Sequence, residues 1–362
     1  MTMITKFNPR AGARSLIEDA IKARKGDTLA IVAEDPRLGI YDATVPQCVA
    51  DVAREMGIET HIISVGDHAG LDEVPPKVKH ALTNCDHVLF HSRLGDTLRF
   101  SAIPGGASKT MSYALDIGVL GGPSCTVPHR VMEQIRTAYD GVVNRARTWR
   151  VTCPLGTDIS GTQDVEAVAA GKVEDFTVTR YPVCAPRPLS CDTASGVVVL
   201  AHWLMASGNR KYPDDELMLP EPIRARIKNG RIVDFDGPEP LVALVHAQYR
   251  RVGELFGMDP FTVHSWHAGL NPGTFYPLRA RSGLERWGKV AFANPRYLHF
   301  HTCGNYAPGE IAWTLFDASA SFDGRDIWRD GALSFLNSDE VRAILAAEGI
   351  AELEVRRDIG VD

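Results

Sequence analysis

The chain has 362 residues, which is longer than a single hydrophobic core usually supports, so we expect two domains. Its hydrophobic fraction of 44% and charged fraction of 23% are ordinary for a globular protein and argue against a disordered chain. The formal net charge of -6, spread without long runs of like charge, favours small molecules over nucleic acid or an anionic membrane as partners. No stretch approaches the ~18 apolar residues of a membrane span and the first residues lack the apolar core of a signal peptide, so we expect a cytoplasmic protein.

The first 150 residues alternate between helical periodicity and short apolar runs, a pattern typical of a parallel sheet covered by helices. The segment after the first predicted strand, AEDPRLGIYD, lacks a G-x-G-x-x-G sequence, so we infer no dinucleotide site. We therefore predict an α/β, Rossmann-like parallel-sheet domain over residues 1–150. Its predicted helices span residues 15–25, 45–56 and 76–83, and its predicted strands span residues 28–33, 59–65 and 86–91.

The remaining sequence is richer in β-type segments and longer loops, so we predict a mixed, β-rich α+β domain over residues 151–362. Asn229-Gly230 between two alternating segments is a strong hairpin signal. Gly257 is predicted to end a long amphipathic helix, and Ser338 to begin the last helix as its N-cap. The predicted strands lie at 196–200, 297–301 and 311–316, the hairpins at 223–234 and 323–336, and the helices at 241–256 and 338–348.

Four of the twelve histidines fall within 38 residues of the C-terminal part, among glycine and proline loop signals. Because successive side chains alternate on a strand, His299 and His301 are expected to point to one face, as two ligands of one ion must. Neutral imidazoles with one or two carboxylates suit Fe(II), Mn(II) or Zn(II). We therefore predict a metal site formed by His267, His299 and His301, with Glu310 as a reserve ligand.

Other polar residues are candidates for catalysis and substrate binding. His264 is a reserve metal ligand and, with Asp317, a predicted catalytic group that moves a substrate proton. The loop TRYPVCAPRPLSCD carries Arg180, Tyr181 and Arg187, which we predict to bind an anionic or hydroxylated substrate because arginine forks match carboxylates. A plain surface loop is the equally compatible alternative.

Several familiar catalytic patterns are missing. Ser and Trp stand between His264 and His267, so there is no H-E-x-x-H zincin motif, and the histidine spacing is not that of a cupin. No G-x-S-x-G elbow is present, which leaves Cys303 as the alternative nucleophile near the cluster. We expect reduced thiols, because the seven cysteines are scattered without a C-x-x-C pair. Isolated histidines that we expect to be structural are His87, His202 and His246.

The order of segments in roughly the last 210 residues resembles that of the thermophilic metallo-aminopeptidase (aminopeptidase T-like) family and its relative, 2,5-dihydroxypyridine 5,6-dioxygenase. The segments that carry the resemblance are CDTASGVVVL, IRARIKNGRIVDF with the helix after it, HAGLNPG and FHTCGN. The resemblance implies a metal enzyme that works either as an Fe(II) ring-cleaving dioxygenase or as an aminopeptidase with divalent ions. Homo-oligomers are common among such enzymes, so we expect one here.

The ligands implied by the resemblance do not all have a counterpart in this chain. The first ligand falls opposite Ser265, and the final H-x-D pair falls opposite Asp317 and Ser319, so His301 is expected to supply the lost imidazole. The glutamate that peptidases place before the GVVVL strand is absent, which argues against a two-metal peptidase. We therefore predict an enzyme that uses Fe(II), or else Mn(II) or Zn(II), to open or oxidise a small hydroxylated aromatic or N-heteroaromatic ring. The alternatives are a metal-dependent hydrolase and a metal-free binding protein.

Overall fold

The computed structural model describes residues 7–67, 74–99, 105–172, 176–183, 185–208, 211–304 and 309–361. Its strands are, in chain order, β1 (Thr28–Glu34), β2 (Glu59–Val65), β3 (His87–His91), β4 (Ser108–Ser112), β5 (Thr148–Thr152), β6 (Asp158–Thr162), β7 (Thr179–Tyr181), β8 (Leu189–Ser190), β9 (Ser195–Ala206), β10 (Leu217–Lys228), β11 (Arg231–Asp236), β12 (Val263–Ala268), β13 (Tyr297–Thr302), β14 (Ile311–Phe316), β15 (Ser319–Phe322), β16 (Arg325–Arg329) and β17 (Ala332–Leu333).

The α-helices are α1 (Pro9–Ser15), α2 (Thr44–Glu55), α3 (Pro76–Asn84), α4 (Leu94–Leu98), α5 (Ile117–Leu120), α6 (Pro123–Thr126), α7 (His129–Val143), α8 (Val165–Ala169), α9 (Glu239–Phe256), α10 (Leu284–Ala291) and α11 (Asp339–Ala347). A π-helical segment (Leu16–Ile21) continues α1, and 3-10 turns lie at Pro36–Leu38, Ala280–Ser282 and Ser334–Asn337. None of the helices in the described ranges is both long enough and apolar enough to cross a membrane.

A five-stranded parallel sheet forms the first part of the molecule, with the strand order β2-β1-β3-β4-β7. Its central strands are short apolar runs because helices cover both faces of a parallel sheet. In β1, the residues from Leu29 to Val32 are almost completely buried. The predicted α/β fold with a parallel sheet is therefore confirmed. The edge strand β7 comes from beyond residue 150, and the domain boundary near that residue stays a prediction.

A twelve-stranded antiparallel sheet forms the second part and confirms the predicted β-rich texture. Its main path is β17-β16-β15-β5-β6-β9-β14-β13-β12-β8, and the β10–β11 hairpin joins it through β9. The hairpin turns at Asn229 and Gly230, which have φ angles of 48° and 70°, as the predicted two-residue turn requires. Strands β12 and β13 lie side by side within this sheet, and both are buried along most of their length.

Two predicted helix ends are confirmed and one helix differs from its prediction. Gly257 ends α9 in the left-handed conformation, and the Ser338 hydroxyl accepts a hydrogen bond from the Val341 amide at the start of α11. The first helix begins six residues earlier than predicted, because Asn8 caps it and Pro9 occupies its first turn. A polar Asn-Pro pair thus overrides the apolar periodicity that suggested a start at residue 15.

A shared hydrophobic cluster joins the two sheets close to β13. Phe90 of β3 and Met111 of β4 belong to the same cluster as Trp203, Trp287 and Tyr297. The rings of Trp203 and Trp287 meet edge to face, with centroids 5.1 Å apart. This packing brings the carboxyl ends of the parallel strands against the antiparallel sheet.

Candidate metal centre

The antiparallel pairing of β12 with β13 brings three histidines together. Ser265 lies opposite His301, and His267 lies opposite His299. Because residues two apart on a strand share a face, all four side chains form one patch. Trp266, which lies between two of them, points instead into the hydrophobic core. The alternation predicted for His299 and His301 is therefore present, and the neighbouring strand adds His267.

The three imidazoles form a compact, buried group. One nitrogen atom from each of His267, His299 and His301 lies within 4.8 Å of those of the other two. The ring centroids are 4.3 Å apart for His267 and His299, 5.1 Å for His267 and His301, and 4.8 Å for His299 and His301. Each residue is less than a tenth exposed. In the described part of the chain, no carboxylate joins the group.

Hydrogen bonds fix two of the rings. The Nδ1 atom of His267 lies 3.2 Å from the Pro186 carbonyl oxygen. A carbonyl can only accept, so Nδ1 carries the hydrogen and Nε2 keeps its lone pair for a ligand. The Nδ1 atom of His301 lies 3.0 Å from the Ser265 hydroxyl, which is also 2.9 Å from Nδ1 of His264. The Ser265 side chain therefore links the predicted catalytic His264 to the three-histidine group.

Burial and nearby positive charge keep the three rings neutral. Burial is the largest cause that lowers the pKa of His299 to about 3, followed by the charges of Arg99 and Arg180. Burial likewise lowers the pKa of His267 and of His301 well below the usual value. The neutral imidazole is the form that binds a metal ion, so all three rings are in the binding form at neutral pH.

The donor set fits a divalent ion. The Nδ1 atom of His299 is buried and has no hydrogen-bond partner among the described residues, an arrangement that costs free energy unless a ligand satisfies it. Three neutral imidazoles are a set that Fe(II), Mn(II) and Zn(II) accept while positions stay open for other ligands. His267, His299 and His301 are therefore the residues that would hold such an ion.

A cavity of about 110 Å³ adjoins the three histidines. This volume greatly exceeds the roughly 10–15 Å³ that one water molecule needs, so a small organic ligand has room. Four aromatic side chains line it and provide flat apolar walls: Tyr113, Phe176, Phe292 and Tyr297. Its charged lining residues are Arg93, Asp96, Arg99, Arg180, Lys211, Asp215, Glu216, Glu285 and Lys289.

The carboxyl ends of the parallel strands supply one side of this cavity. Arg93 and Asp96 follow β3, Tyr113 follows β4, and Arg180 lies in β7. Ligands of open α/β sheets bind at this edge, because the loops that follow the strands converge there. Here the edge faces the histidines of β12 and β13, so the cavity lies where the two sheets meet.

A buried carboxylate organises the charged wall. Asp96 accepts hydrogen bonds from Tyr113 at 2.8 Å and from Arg99 at 2.8 Å, and it also pairs with the Lys289 ammonium. Burial alone would raise the pKa of Asp96, but the charges of Lys289 and Arg99 outweigh it and lower the pKa. Asp96 is therefore ionised and holds two cations in place at the cavity surface.

The predicted ligand Glu310 and the predicted catalytic Asp317 are not brought to the cavity lining. Glu310 is fully buried, and its backbone carbonyl accepts a hydrogen bond from Tyr212. Asp317 accepts two hydrogen bonds from Arg296, at 2.8 and 2.9 Å, and one from Arg357 at 2.7 Å. Their assigned roles stay predictions, and the geometry gives neither residue a contact with the three histidines.

The three residues predicted to bind substrate separate in the structure. Arg180 lines the cavity, and its Nη2 donates to the Ala185 carbonyl at 2.7 Å. Tyr181 is buried in another cluster, where its hydroxyl lies within 2.9 Å of two backbone carbonyl oxygens. Arg187 donates to the side chains of Asn144 and Gln163 and is not among the lining residues. Neighbours in a strand or loop thus face different parts of the molecule.

Cys303, the alternative nucleophile, has the wrong environment for that role. Burial raises the pKa of its thiol to about 12, so the reactive thiolate is disfavoured at neutral pH. Its sulfur lies against the carbonyl of Tyr249 rather than in the cavity lining.

Sequence reasoning missed the charged wall, namely Asp96, Arg99 and Lys289. Asp96 and Arg99 are three residues apart, but Lys289 of α10 lies 193 residues from Asp96 and meets it only in the folded chain. One signal was available, since Arg93 and Asp96 lie two and five residues after the apolar strand HVLFH. Charged residues just after a buried parallel strand are placed at the edge where ligands bind.

Comparisons with known proteins identify the fold. A scan against protein-family models found no match, and a search of curated proteins found none either. Among solved structures, the 2,5-dihydroxypyridine dioxygenase from Pseudomonas putida KT2440 is similar, with a TM-score of 0.59 and 12% identity. The match covers 92% of this chain and 98% of that chain.

A second similar structure is wild-type AmpT from Thermus thermophilus, with a TM-score of 0.51 and 12% identity. This match covers 90% of the present chain and 98% of the AmpT chain. The predicted resemblance to these two proteins is therefore confirmed as a distant one. At this identity, the likeness establishes the fold and not the reaction.

Proposed function

We propose that this chain is a metal-dependent enzyme that uses a single Fe(II) ion to open or oxidise a small hydroxylated aromatic or N-heteroaromatic ring. The observation that carries the proposal is the group of three buried, neutral histidines at the wall of a cavity with four aromatic side chains. The fold it shares with a 2,5-dihydroxypyridine dioxygenase supports the same class of substrate. Because the donor group contains no carboxylate among the described residues, the proposal is a mononuclear centre.

The residues of the chain have distinct roles in this proposal. An ion held by His267, His299 and His301 would supply Lewis acidity and one-electron chemistry toward a phenolic substrate and oxygen. The aromatic walls hold the ring of the substrate and exclude water from it. His264 does not line the cavity, but it is the candidate for moving the phenolic proton because the Ser265 hydroxyl connects it to the centre. Asp317 is the weaker candidate, since two arginines already occupy its carboxylate.

A metal-dependent hydrolase is the second candidate, and the donor set itself favours it. Three histidines without a carboxylate also form zinc sites that activate a water molecule for hydrolysis. Hydrolysis requires no oxygen and tolerates Zn(II) in place of iron, so the two candidates differ in two measurable ways.

The test is metal analysis of protein purified without oxygen, followed by oxygen-uptake assays on hydroxypyridines and hydroxybenzoates. His267→Ala and His301→Ala remove one ligand each, and His61→Ala is the matched control because its side chain is exposed on β2. We expect about one equivalent of iron in the parent and the control, and almost none in the two ligand variants.

Each outcome favours one function. Equal product yield with and without oxygen would refute the dioxygenase and favour the hydrolase. No bound metal after reconstitution with Fe(II), Mn(II) or Zn(II) would refute both enzymes and favour a metal-free binding protein.

A further inference from the structure

The cavity beside the three histidines contains an arginine that is stacked on an aromatic ring. The Cζ atom of Arg180 lies 3.2 Å from the centroid of the Phe176 ring. The same ring is nearly parallel to that of His267, at 28° and with centroids 6.3 Å apart. Together with its bond to the Ala185 carbonyl, this stacking fixes the guanidinium close to the proposed metal centre.

A second arginine adds positive charge at the same end of the cavity. Arg99 is 8% exposed and is held by Asp96 and by the carbonyl of Ser207. Arg99 and Arg180 both line the cavity that the three histidines adjoin. The histidine end of the cavity therefore lies in the field of two guanidinium groups.

Positive charge at the buried histidine end of the cavity selects a ligand by charge. Guanidinium groups bind carboxylates through charge-assisted, often bidentate hydrogen bonds, and these are stronger away from water. The aromatic walls already fit a planar ring. A ring that also carries a carboxylate would satisfy both features, whereas a neutral ring would use only one.

We propose that the substrate is a hydroxylated aromatic or N-heteroaromatic carboxylate, and that Arg180 binds its carboxylate with support from the charge of Arg99. This proposal rests on the proposed function for its hydroxylated ring. The carboxylate, in contrast, is inferred from the cavity wall and does not depend on which reaction follows. Arg180 is thereby the residue that determines specificity for an anionic ring.

Arg187 provides a matched control from the same segment of the chain. Its guanidinium donates to Asn144 and Gln163, at 3.1 and 2.9 Å, and it does not line the cavity. Arg187→Gln removes the same charge as Arg180→Gln without changing the cavity wall. A general effect of net charge would therefore act equally in both variants.

The experiment measures binding to the whole chain by calorimetry. A chelator first removes metal ions, so that the carboxylate of a probe cannot bind to a metal instead of to Arg180. The probes are 3-hydroxybenzoate, 4-hydroxybenzoate and 6-hydroxynicotinate, each compared with its own amide. We expect at least one carboxylate to bind about 10–100-fold more tightly than its amide in the parent. The preference should disappear in Arg180→Gln and persist in Arg187→Gln.

The outcomes separate this proposal from the proposed function. Measurements on the parent protein alone can overturn the proposal, so the test stands even if a variant fails to fold. The proposal is overturned if no carboxylate binds at millimolar concentration, or if the carboxylates bind no more tightly than their amides. A preference that survives in Arg180→Gln would also overturn it. If the carboxylate preference depends on Arg180 but no metal or oxygen consumption is found, the anion site stands and the dioxygenase proposal fails.

Discussion

Asp96 is the residue whose replacement should reveal most about the cavity wall. Its carboxylate pairs with Lys289 and Arg99, both only 8% exposed, and accepts a hydrogen bond from Tyr113. Asp96→Asn keeps the shape of the side chain but removes the negative charge. Two buried cations are then left without this counter-charge, and the amide nitrogen that replaces one carboxylate oxygen presents its hydrogens to other donors.

The expected loss can be worked out from general magnitudes. Breaking a buried ion pair by removing one partner costs about 3–5 kcal/mol. The entropy of unfolding of about 2.1 cal/mol/K per residue gives roughly 0.8 kcal/mol/K for a chain of this length. Asp96→Asn should therefore lower Tm by about 4–7 °C.

The assay is thermal unfolding followed by circular dichroism at one fixed scan rate. Asp234→Asn is the control, because its carboxylate is half exposed and pairs with Arg226 at 3.6 Å on the surface; its Tm should change by less than about 1 °C. Adding Lys289→Met to Asp96→Asn removes one stranded cation and should restore part of the loss. A Tm for Asp96→Asn within 1 °C of the parent, with the double variant less stable than the single one, would refute the assignment of Asp96 as the organising charge.

Three further predictions concern histidines and the metal. Burial lowers the pKa of His91 to about 4 from 6.5, so the unfolded state binds more protons below pH 6.5 and stability falls as the pH drops from 6.5 to 4. The His91 imidazole contributes about 3 kcal/mol to that loss. His91→Gln should therefore make the free energy of unfolding, measured with urea at pH 7, 6 and 5, less dependent on pH. The same pH dependence in the variant and the parent would contradict this prediction. Ser265→Ala removes the hydroxyl that orients His301 and should weaken metal binding about 10–100-fold in competition with a chelator, while equal affinity would show that the hydroxyl is dispensable. Metal at a hundredfold excess over its Kd should stabilise the parent by about 2.7 kcal/mol and raise Tm by about 3–4 °C, but should not stabilise His267→Ala, and His61→Ala should respond like the parent.

Much of the fold follows from local signals in the sequence. Apolar runs such as TLAIVA predict buried parallel strands, Asn229-Gly230 predicts a hairpin, and Gly257 predicts a helix end, and all three are confirmed. These features depend on a few adjacent residues. The predicted start of α1 is wrong, because the helix is capped by Asn8, which lies outside the apolar periodicity of this segment.

The candidate site could be predicted only in part. The alternation of a strand places His299 and His301 on one face, but only the register with β12 brings His267 opposite them. The charged wall depends on contacts such as Asp96 with Lys289, which are 193 residues apart. A contact between residues so distant in sequence cannot be predicted from a local pattern. The different positions of Arg180 and Arg187 likewise follow only from the three-dimensional structure.

Because His267 pairs with His299 across two strands, ion binding at the centre depends on the correct register of those strands. A shift of one residue between β12 and β13 would turn Trp266 toward the cavity and remove a histidine from its partners. An ion that needs all three rings can then bind tightly only to molecules whose strands have assembled in the native alignment. The metal content of a preparation would thus report the fraction of molecules with the native strand register. Adding the ion during refolding would favour those molecules over molecules with a shifted register.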